Sequence, residues 1–389
     1  ERDPVRTNGP ATADADLRLR LDLLARGPSA PLPSGHRVDR GVLHRIRAEA
    51  DHLMRTLGVR AETVDPEAAG LLVAFAYPDR IAQRVTPENR FRLRTGHAAA
   101  LSHDQVLSES PYLAVASLDE RQGAAKIFAA APLALDDLNE HFADHLATLD
   151  LVRWDSGVRR VTAQRHVQLG ALVVRARPLD HPDPEAVTSA LLDGIREHGL
   201  DVLPWTKEAR RVQARLQFLH HQRPAEWRDM SDEALLRRLE PWLAPYLVGH
   251  RRFEDLRSLN LVDLLLAPLD WPRRQDAERL APSHLTVPSG SRRSLDYSDP
   301  ASPVLAVRLQ EVFGWTTTPR LLDGEVPVTM QLLSPAQRPV QVTQDLEGFW
   351  STSYFDVRKD LRGRYPKHYW PEDPLTATPT ARAKPRRST

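Results

Sequence analysis

The sequence predicts an α+β multidomain protein with a helical bundle fragment, an OB-like small β-barrel, and a C-terminal extension of mixed helical and β-rich parts. Three observations predict this fold class. The 389 residues suffice for two to four domains, each with its own core. Helical periodicity at the start of the chain gives way to short β-type runs. A second helical stretch and a second β-rich stretch then follow.

The first segment, residues 1–75, is typical of consecutive helices. Residues 16–24 form a leucine-rich run. A second helix, which Gly58 closes, is indicated by apolar residues at i, i+3, i+4 and i+7 spacing: Val42, Leu43, Ile46, Ala50, Leu53, Met54 and Leu57. Asp65 and Pro66 open a third helix as N-cap and first-turn proline. These helices indicate part of a bundle, and we expect its other helices to precede residue 1.

Residues 76–180 are expected to form the barrel. Asp155, Ser156 and Gly157 suit a tight hairpin turn, and a helical stretch near 138–146 interrupts the pattern. Because many short strands with regular turns favour a closed barrel, we prefer an OB-like barrel to an open sandwich. The predicted strands are 80–85, 90–94, 112–118, 125–130, 151–154, 158–167 and 171–177.

The apolar pattern divides the rest of the chain into three regions. Residues 181–281 have helical patterning, whereas residues 282–374 are β-rich and end in a helix predicted over 344–360. Residues 375–389 carry basic residues without apolar periodicity, so we expect a mobile basic tail.

Composition excludes several classes of protein. The absence of cysteine excludes disulfides, thiolate zinc sites and cysteine nucleophiles. The longest apolar stretch, around 259–269, is interrupted by Asp263 and is far shorter than the ~20 residues of a membrane span, so we expect a cytoplasmic protein without membrane contact. The chain begins at Glu1 with neither an initiator methionine nor a signal peptide, which suggests a fragment of a longer protein.

Charge is balanced overall but uneven along the chain. Formal net charge is +1, yet residues 358–389 contain nine basic and three acidic residues. Only five of the 53 basic residues are lysines. Guanidinium groups suit phosphate recognition, although the composition of a GC-rich genome produces the same bias and is the favoured explanation.

The barrel arginines are the first candidate nucleic-acid-binding residues. Alternation along a strand puts Arg90, Arg92 and Arg94 on one face and apolar residues on the other. Such a row can follow a phosphate backbone, and an ordinary polar surface is an equally good interpretation. The candidates in this region are Arg80, Arg84, Arg90, Arg92 and Arg94.

Two groups of candidate residues lie in the extension. Arg292 and Arg293 follow a hydroxyl-rich turn that suits phosphate contact, although a plain surface loop has the same pattern. Residues 362–371 mix cationic and aromatic side chains in a proline-stiffened segment, where rings can stack on bases. The alternative, which we favour slightly, is that these aromatics dock on the preceding domain. The candidates in this segment are Arg364, Tyr365, Lys367 and Trp370.

Catalytic signatures are absent from the sequence. It contains no GxxxxGK[ST], GxGxxG, GxSxG or HExxH motif, so we predict no catalytic residue, no cofactor and no metal site in this chain. His141 and His145 share a helix face and could hold a divalent ion with a third ligand. A solvated helix face is the preferred interpretation of that pair.

Several stretches carry a family resemblance. The most specific is residues 332–346, LLSPAQRPVQVTQDL, followed by GRYPKH at 363–368 and WPEDP at 370–374. These stretches resemble the C-terminal half of the bacterial HrpB-type family of DEAH-box ATP-dependent helicases. The resemblance extends upstream through TVPSGSR at 286–292, LAVRLQEVFG at 305–314 and AYPDRIAQR at 76–84.

The resemblance implies a particular domain order. Residues 1–75 would be the C-terminal part of a ratchet-like helical domain, 76–180 the OB-like barrel, and the rest a family-specific extension. ATP and magnesium would act in motor domains outside this chain. Because the phosphate loop, the DEAH box and the arginine finger are not in the sequence, we expect no ATP hydrolysis by this chain alone.

We therefore expect an accessory C-terminal region of an ATP-dependent RNA/DNA helicase. Its expected partners are single-stranded nucleic acid, with RNA favoured, and the helicase's own motor domains. One alternative is a structural or protein-interaction region without direct nucleic-acid contact. Another is a metal-dependent hydrolase that uses His141 and His145.

Overall fold

The computed structural model describes residues 3–7, 13–60, 64–85, 89–102, 105–119 and 123–384. The chain divides into two compact units. The first unit comprises Glu1–Leu151 and Ala163–His181, and the second comprises Val152–Thr162 and Pro182–Thr389.

The first unit begins with helices and a short ladder. Asp16 and Asp39 cap two of the helices with their carboxylates, and Gly58 ends the second in the left-handed conformation. The first two strands pair antiparallel. These elements are β1 (Val5–Thr7), α1 (Leu17–Arg26), β2 (His36–Val38), α2 (Arg40–Leu57) and α3 (Ala69–Ala76).

The next five strands close into a barrel, as the sequence predicts. Its strand order is β3-β4-β5-β7-β6. The β5–β7 pair is parallel, and the other pairs are antiparallel. The interior includes Ala82, Phe91, Val115 and Ile127. The strands are β3 (Ile81–Val85), β4 (Arg90–Leu93), β5 (Ala98–Ala100), β6 (Tyr112–Asp119) and β7 (Ala125–Pro132).

The region predicted as barrel over 76–180 contains a second sheet. Strands after the barrel form a separate three-stranded sheet in the order β10-β9-β8, because a closed barrel leaves no free edge to which they could add. The outer part of the β8–β9 hairpin, residues 152–162, belongs to the second unit. These elements are α4 (Leu135–His141), β8 (Leu146–Asp155), β9 (Arg160–Leu169) and β10 (Leu172–Pro178).

The second unit starts with a helical layer. The hairpin residue Trp154 lies against the first of these helices, where a Cβ on Gly194 would come within 2.4 Å of the indole ring. Trp154 also packs on Phe253, with 4.4 Å between ring centroids. The helices are α5 (Pro184–His198), α6 (Lys207–Gln222), α7 (Asp232–Arg237), α8 (Leu239–Trp242), α9 (Leu261–Leu266) and α10 (Trp271–Leu280).

The remaining elements form the β-rich part of the second unit. A five-stranded sheet has the order β11-β12-β13-β16-β17, in which only the β13–β16 pair is parallel, and β14 and β15 form a separate ladder. The strands are β11 (His284–Thr286), β12 (Arg292–Asp296), β13 (Val304–Arg308), β14 (Arg320–Leu321), β15 (Val326–Pro327), β16 (Thr329–Leu333) and β17 (Pro339–Thr343).

The single helix predicted over 344–360 is two helices, α11 (Leu346–Ser351) and α12 (Tyr354–Arg364). The break lies at Thr352, whose hydroxyl donates to the carbonyl of Gly348 at 2.6 Å. Local side-chain hydrogen bonds of this kind compete with the backbone ladder of a helix.

After α12 the chain packs back onto the β-rich part. The amide of Gly314 donates to the carbonyl of Pro374, and the amide of Thr380 donates to the carbonyl of Gln310. Ala377 is buried. The sequence did not indicate these contacts of residues 375–384. Residues 385–389 lie outside the described part, and mobility of the tail stays a prediction.

The described residues include no helix that combines the length and apolar character needed to cross a membrane.

Candidate nucleic-acid interface

Arg90 and Arg92 point outward from barrel strand β4. Phe91 and Leu93 alternate with them and are buried in the barrel interior. Arg94 lies just beyond the strand, where its backbone amide donates to the carbonyl of Ile81 and its Nη1 donates to the carbonyl of Pro78 at 3.4 Å. The alternation predicted for β4 is therefore present. Arg94 is hydrogen-bonded to the backbone of Pro78 and Ile81.

Arg80 and Arg84 do not extend the row of Arg90 and Arg92. Arg84 pairs with Phe91, so it lies at the strand end on the face that carries the barrel interior, and its Nη1 donates to the carbonyl of Ser108. Arg80 donates to the carbonyl of Ala116 at 3.2 Å and covers the Tyr77 ring.

Two residues that the sequence analysis did not single out share the outer face with Arg90. In the strand register, Arg90 pairs with Ala100, and Ala100 pairs with Lys126 on β7. Two strand spacings put Lys126 about 10 Å from Arg90. Phe128 follows two residues later, 46% exposed, with its ring centre 5.5 Å from the Lys126 Nζ.

We call Arg90, Arg92, Lys126 and Phe128 the outer barrel surface. Within the described part of the chain, its three cations form no ion pair and no side-chain hydrogen bond. The small residues Ala98 and Ala100 lie between the cations, so no large side chain separates them.

Among the described residues, an acidic side chain borders this surface. Asp119 on β6 is the cross-strand neighbour of Lys126. The positive character of the surface therefore extends from Lys126 toward β4 and away from β6.

The signal for Lys126 and Phe128 was available in the sequence. In the strand predicted over 125–130, alternation by two puts Lys126 and Phe128 on one face and Ala125 and Ile127 on the other, as it did for the β4 arginines. The structure confirms this alternation, since Lys126 and Phe128 are exposed. The relation between β4 and β7 was not available, because it depends on β5, a strand of three alanines without a β-type signal.

Arg293 has an internal partner. Its Nε donates to the Glu311 carboxylate at 3.0 Å and its Nη2 at 2.5 Å, and Glu311 is fully buried. The guanidinium neutralises a buried charge, so it is not free for phosphate. Arg292 is exposed and has no ion-pair partner among the described residues.

The aromatic residues of the 362–371 segment dock on the second unit. Trp370 is 8% exposed, and its Nε1 donates to the carbonyl of Tyr365 at 2.9 Å. Tyr365 itself packs against the core. Arg364 pairs with Asp360 at 3.2 Å, and Lys367 is exposed. The rings thus contribute to the core, which is the alternative that the sequence analysis favoured.

His368 adds little positive charge to this segment. Burial lowers the pKa of His368, and the nearby Arg308 guanidinium lowers that pKa further. The imidazole is therefore mainly neutral at pH 7, where its Nδ1 lies 3.0 Å from Oε1 of Gln310.

His141 and His145 are surrounded by aromatic rings. The His141 ring lies 5.7 Å from Phe75, and the His145 ring lies 6.3 Å from Phe142. In the ranges that the structure describes, no three His, Asp or Glu side chains form a potential metal site.

Comparison with known proteins shows which proteins this chain is similar to. Residues 242–374 match the family described as ATP-dependent helicase C-terminal, HrpB_C. Over 338 residues the chain is 38% identical to the ATP-dependent RNA helicase HrpB of Escherichia coli K12. This alignment covers 86% of this chain and 42% of that protein. The chain is similar to the C-terminal part of HrpB.

A solved structure agrees with this relation. The crystal structure of the E. coli DExH-box NTPase HrpB aligns with 98% of this HrpB-like chain and 45% of its own chain, at a TM-score of 0.51 and 35% identity. The HrpB-like chain therefore spans less than half the length of both relatives. The resemblance described from the sequence is confirmed, and the matched part of HrpB is its C-terminal part.

Proposed function

We propose that this HrpB-like chain is the accessory C-terminal region of an ATP-dependent helicase and that its outer barrel surface binds single-stranded nucleic acid. The observation that carries the proposal is the unpaired set of Arg90, Arg92 and Lys126 beside the exposed ring of Phe128. Cations that follow a backbone, together with a ring on which a base can stack, are the usual elements of single-strand binding.

RNA is the favoured strand in this proposal, since the curated relative is named an RNA helicase. ATP and magnesium would act in the motor domains of the whole helicase. No residue of this chain is proposed to hold them.

The second part of the proposal is that the chain also braces those motor domains. Several apolar side chains of the N-terminal helices are more than half exposed, which leaves apolar surface for contact with the rest of a helicase. They are Leu53, Leu57, Leu72 and Phe75.

Fluorescence anisotropy with a labelled twelve-nucleotide oligouridine tests strand binding. We expect Phe128→Ala to weaken binding by about 1–3 kcal/mol, the usual value of one stacked base. Each phosphate that a cation neutralises contributes about 0.7 to the logarithmic salt slope, so the double variant Arg90→Ala/Arg92→Ala should lower that slope by about 1.4.

The matched control is the double variant Arg175→Ala/Arg177→Ala. These arginines also alternate on a strand of the first unit, β10, and are also exposed, so the variant removes the same charge outside the barrel. It should leave affinity and salt slope close to those of the parent. Equal reductions in affinity for the two double variants, or oligouridine binding that ignores salt, would contradict the proposal.

The alternative of a structural region without strand contact is supported by other observations. Arg293 neutralises Glu311, and Trp370 and Tyr365 pack in the core, so three candidate residues have structural partners. Absence of oligouridine binding at low salt would favour this alternative.

A further inference from the structure

The second unit contains an apolar recess between its helices. Its cavity volume is about 60 Å³, far below the roughly 300–1,000 Å³ of a pocket for a whole small molecule, so the recess suits a single side chain. Helices α6, α7, α8 and α9 contribute to its walls together with the loops that follow α6 and α9. The lining includes Trp227, Arg228, Met230, Arg238, Trp242 and Leu265.

The lining of the recess suits an aliphatic side chain better than a nucleobase. Trp227 and Trp242 are 4% and 7% exposed, so neither offers the open ring face on which a base stacks. Most of the other lining residues are leucine, proline, alanine or methionine, which give few groups for hydrogen bonds with the edge of a base.

The rim of the recess carries positive charge. Arg228 and Arg238 are exposed, and neither forms an ion pair or a side-chain hydrogen bond with another described residue. The one carboxylate in the lining belongs to Asp229, whose Oδ1 accepts a hydrogen bond from the backbone amide of Ser231 at 2.9 Å. Two free cations beside an apolar recess complement an occupant that carries carboxylates around an apolar group.

A buried donor at the recess also lacks a partner. The Nε1 of Trp227 has no hydrogen-bond acceptor among the described residues. A buried N–H without an acceptor costs stability, but this N–H is enclosed by the protein and is not open to an occupant of the recess.

We infer that this recess is a docking site for an acidic peptide segment of another protein, with a leucine-like side chain in the recess and flanking carboxylates on Arg228 and Arg238. A buried apolar anchor inside a polar rim is the usual arrangement of a peptide-recognition site. The inference is independent of strand binding by the outer barrel surface, because it uses residues of the second unit alone.

The test is fluorescence anisotropy of the full chain with a labelled twelve-residue peptide that has two central leucines between aspartates. We expect saturable binding that falls at least about tenfold when alanines replace the leucines, because the apolar side chain that fills the recess is then lost. Charge reversal with Arg228→Glu/Arg238→Glu should also weaken binding about tenfold.

One further variant separates recognition from misfolding. Lys207→Glu/Arg211→Glu reverses two exposed charges of α6 that have no ion-pair partner in the described part of the chain, and it should leave peptide affinity unchanged.

The inference is wrong if the peptide does not bind at about 1 mM, a concentration that detects even weak sites. It is also wrong if the alanine peptide binds equally well, or if the two charge-reversal variants weaken binding to the same extent. Displacement of the peptide by twelve-nucleotide oligouridine, with the same dependence on Arg228 and Arg238, would reassign the recess to nucleic acid.

Discussion

Among single residues, the neighbours Arg292 and Arg293 have opposite environments. Arg293 bonds the fully buried carboxylate of Glu311, which also lies 3.4 Å from the hydroxyl of Ser289. Removal of one partner of a buried pair leaves an uncompensated charge in the interior, whereas an exposed unpaired arginine contributes little to stability.

We therefore predict that Arg293→Ala lowers the free energy of unfolding of the second unit by about 3 kcal/mol, as measured by urea titration. Arg292→Ala is the matched control and should change it by less than about 0.5 kcal/mol. Adding Glu311→Gln to Arg293→Ala should recover part of this stability, because the buried charge is then removed. Equal effects of the two arginine variants would show that the ion pair is not the cause.

The sequence predicts which way some of these arginine side chains point, but not their ion-pair partners. Alternation on β4 correctly placed Arg90 and Arg92 opposite Phe91 and Leu93. The ion pair between Arg293 and Glu311 could not be predicted, because the two residues are 18 positions apart and the burial of Glu311 depends on the tertiary fold.

At the scale of elements, helix α3 approaches the barrel closely at Gly70. A Cβ at this position would lie 1.8 Å from the carbonyl oxygen of Pro132, a main-chain atom at the end of β7. Since neither backbone can yield locally, a side chain at residue 70 would force the helix away from the strand.

We predict that Gly70→Ala destabilises the first unit by about 1–3 kcal/mol in thermal or urea unfolding, the usual cost of overpacking. Gly363→Ala provides the comparison, because Gly363 lies in α12 and no atom lies within 4 Å of its added Cβ. That change should be neutral or stabilise by up to about 1 kcal/mol. A neutral Gly70→Ala would mean that the α3–β7 approach is looser than the structure indicates.

Elements were predictable where their periodicity is strong. The helices from 17 to 26 and from 40 to 57, and the barrel strands with alternating burial, follow the apolar pattern. The alanine strand β5 and the break at Thr352 were missed, since neither changes the apolar pattern. The recess of the second unit was also beyond sequence reasoning, because its walls join residues about 50 positions apart.

For the whole molecule, the important feature is that one hairpin contributes to both units. Its outer part, residues 152–162, belongs to the second unit. There Trp154 packs on Phe253 and Gly194. A fragment that ends at residue 181 keeps this part of the hairpin without its packing partners.

We predict that a fragment of residues 1–181 has a solvent-exposed Trp154. This residue is the single tryptophan of that fragment, so its fluorescence reports directly on its environment. Acrylamide should quench it nearly as efficiently as free tryptophan, and Trp154→Gln should improve the solubility of the fragment. Strong protection from acrylamide would show that the hairpin finds another packing partner.

The charge chemistry of the outer barrel surface has a practical consequence. Lys126 is one of only five lysines in the chain, and the other cations of that surface are arginines. Amine-directed acylation followed by mass spectrometry would therefore modify few sites, and protection of one amine by an added oligonucleotide could be assigned to a single barrel strand.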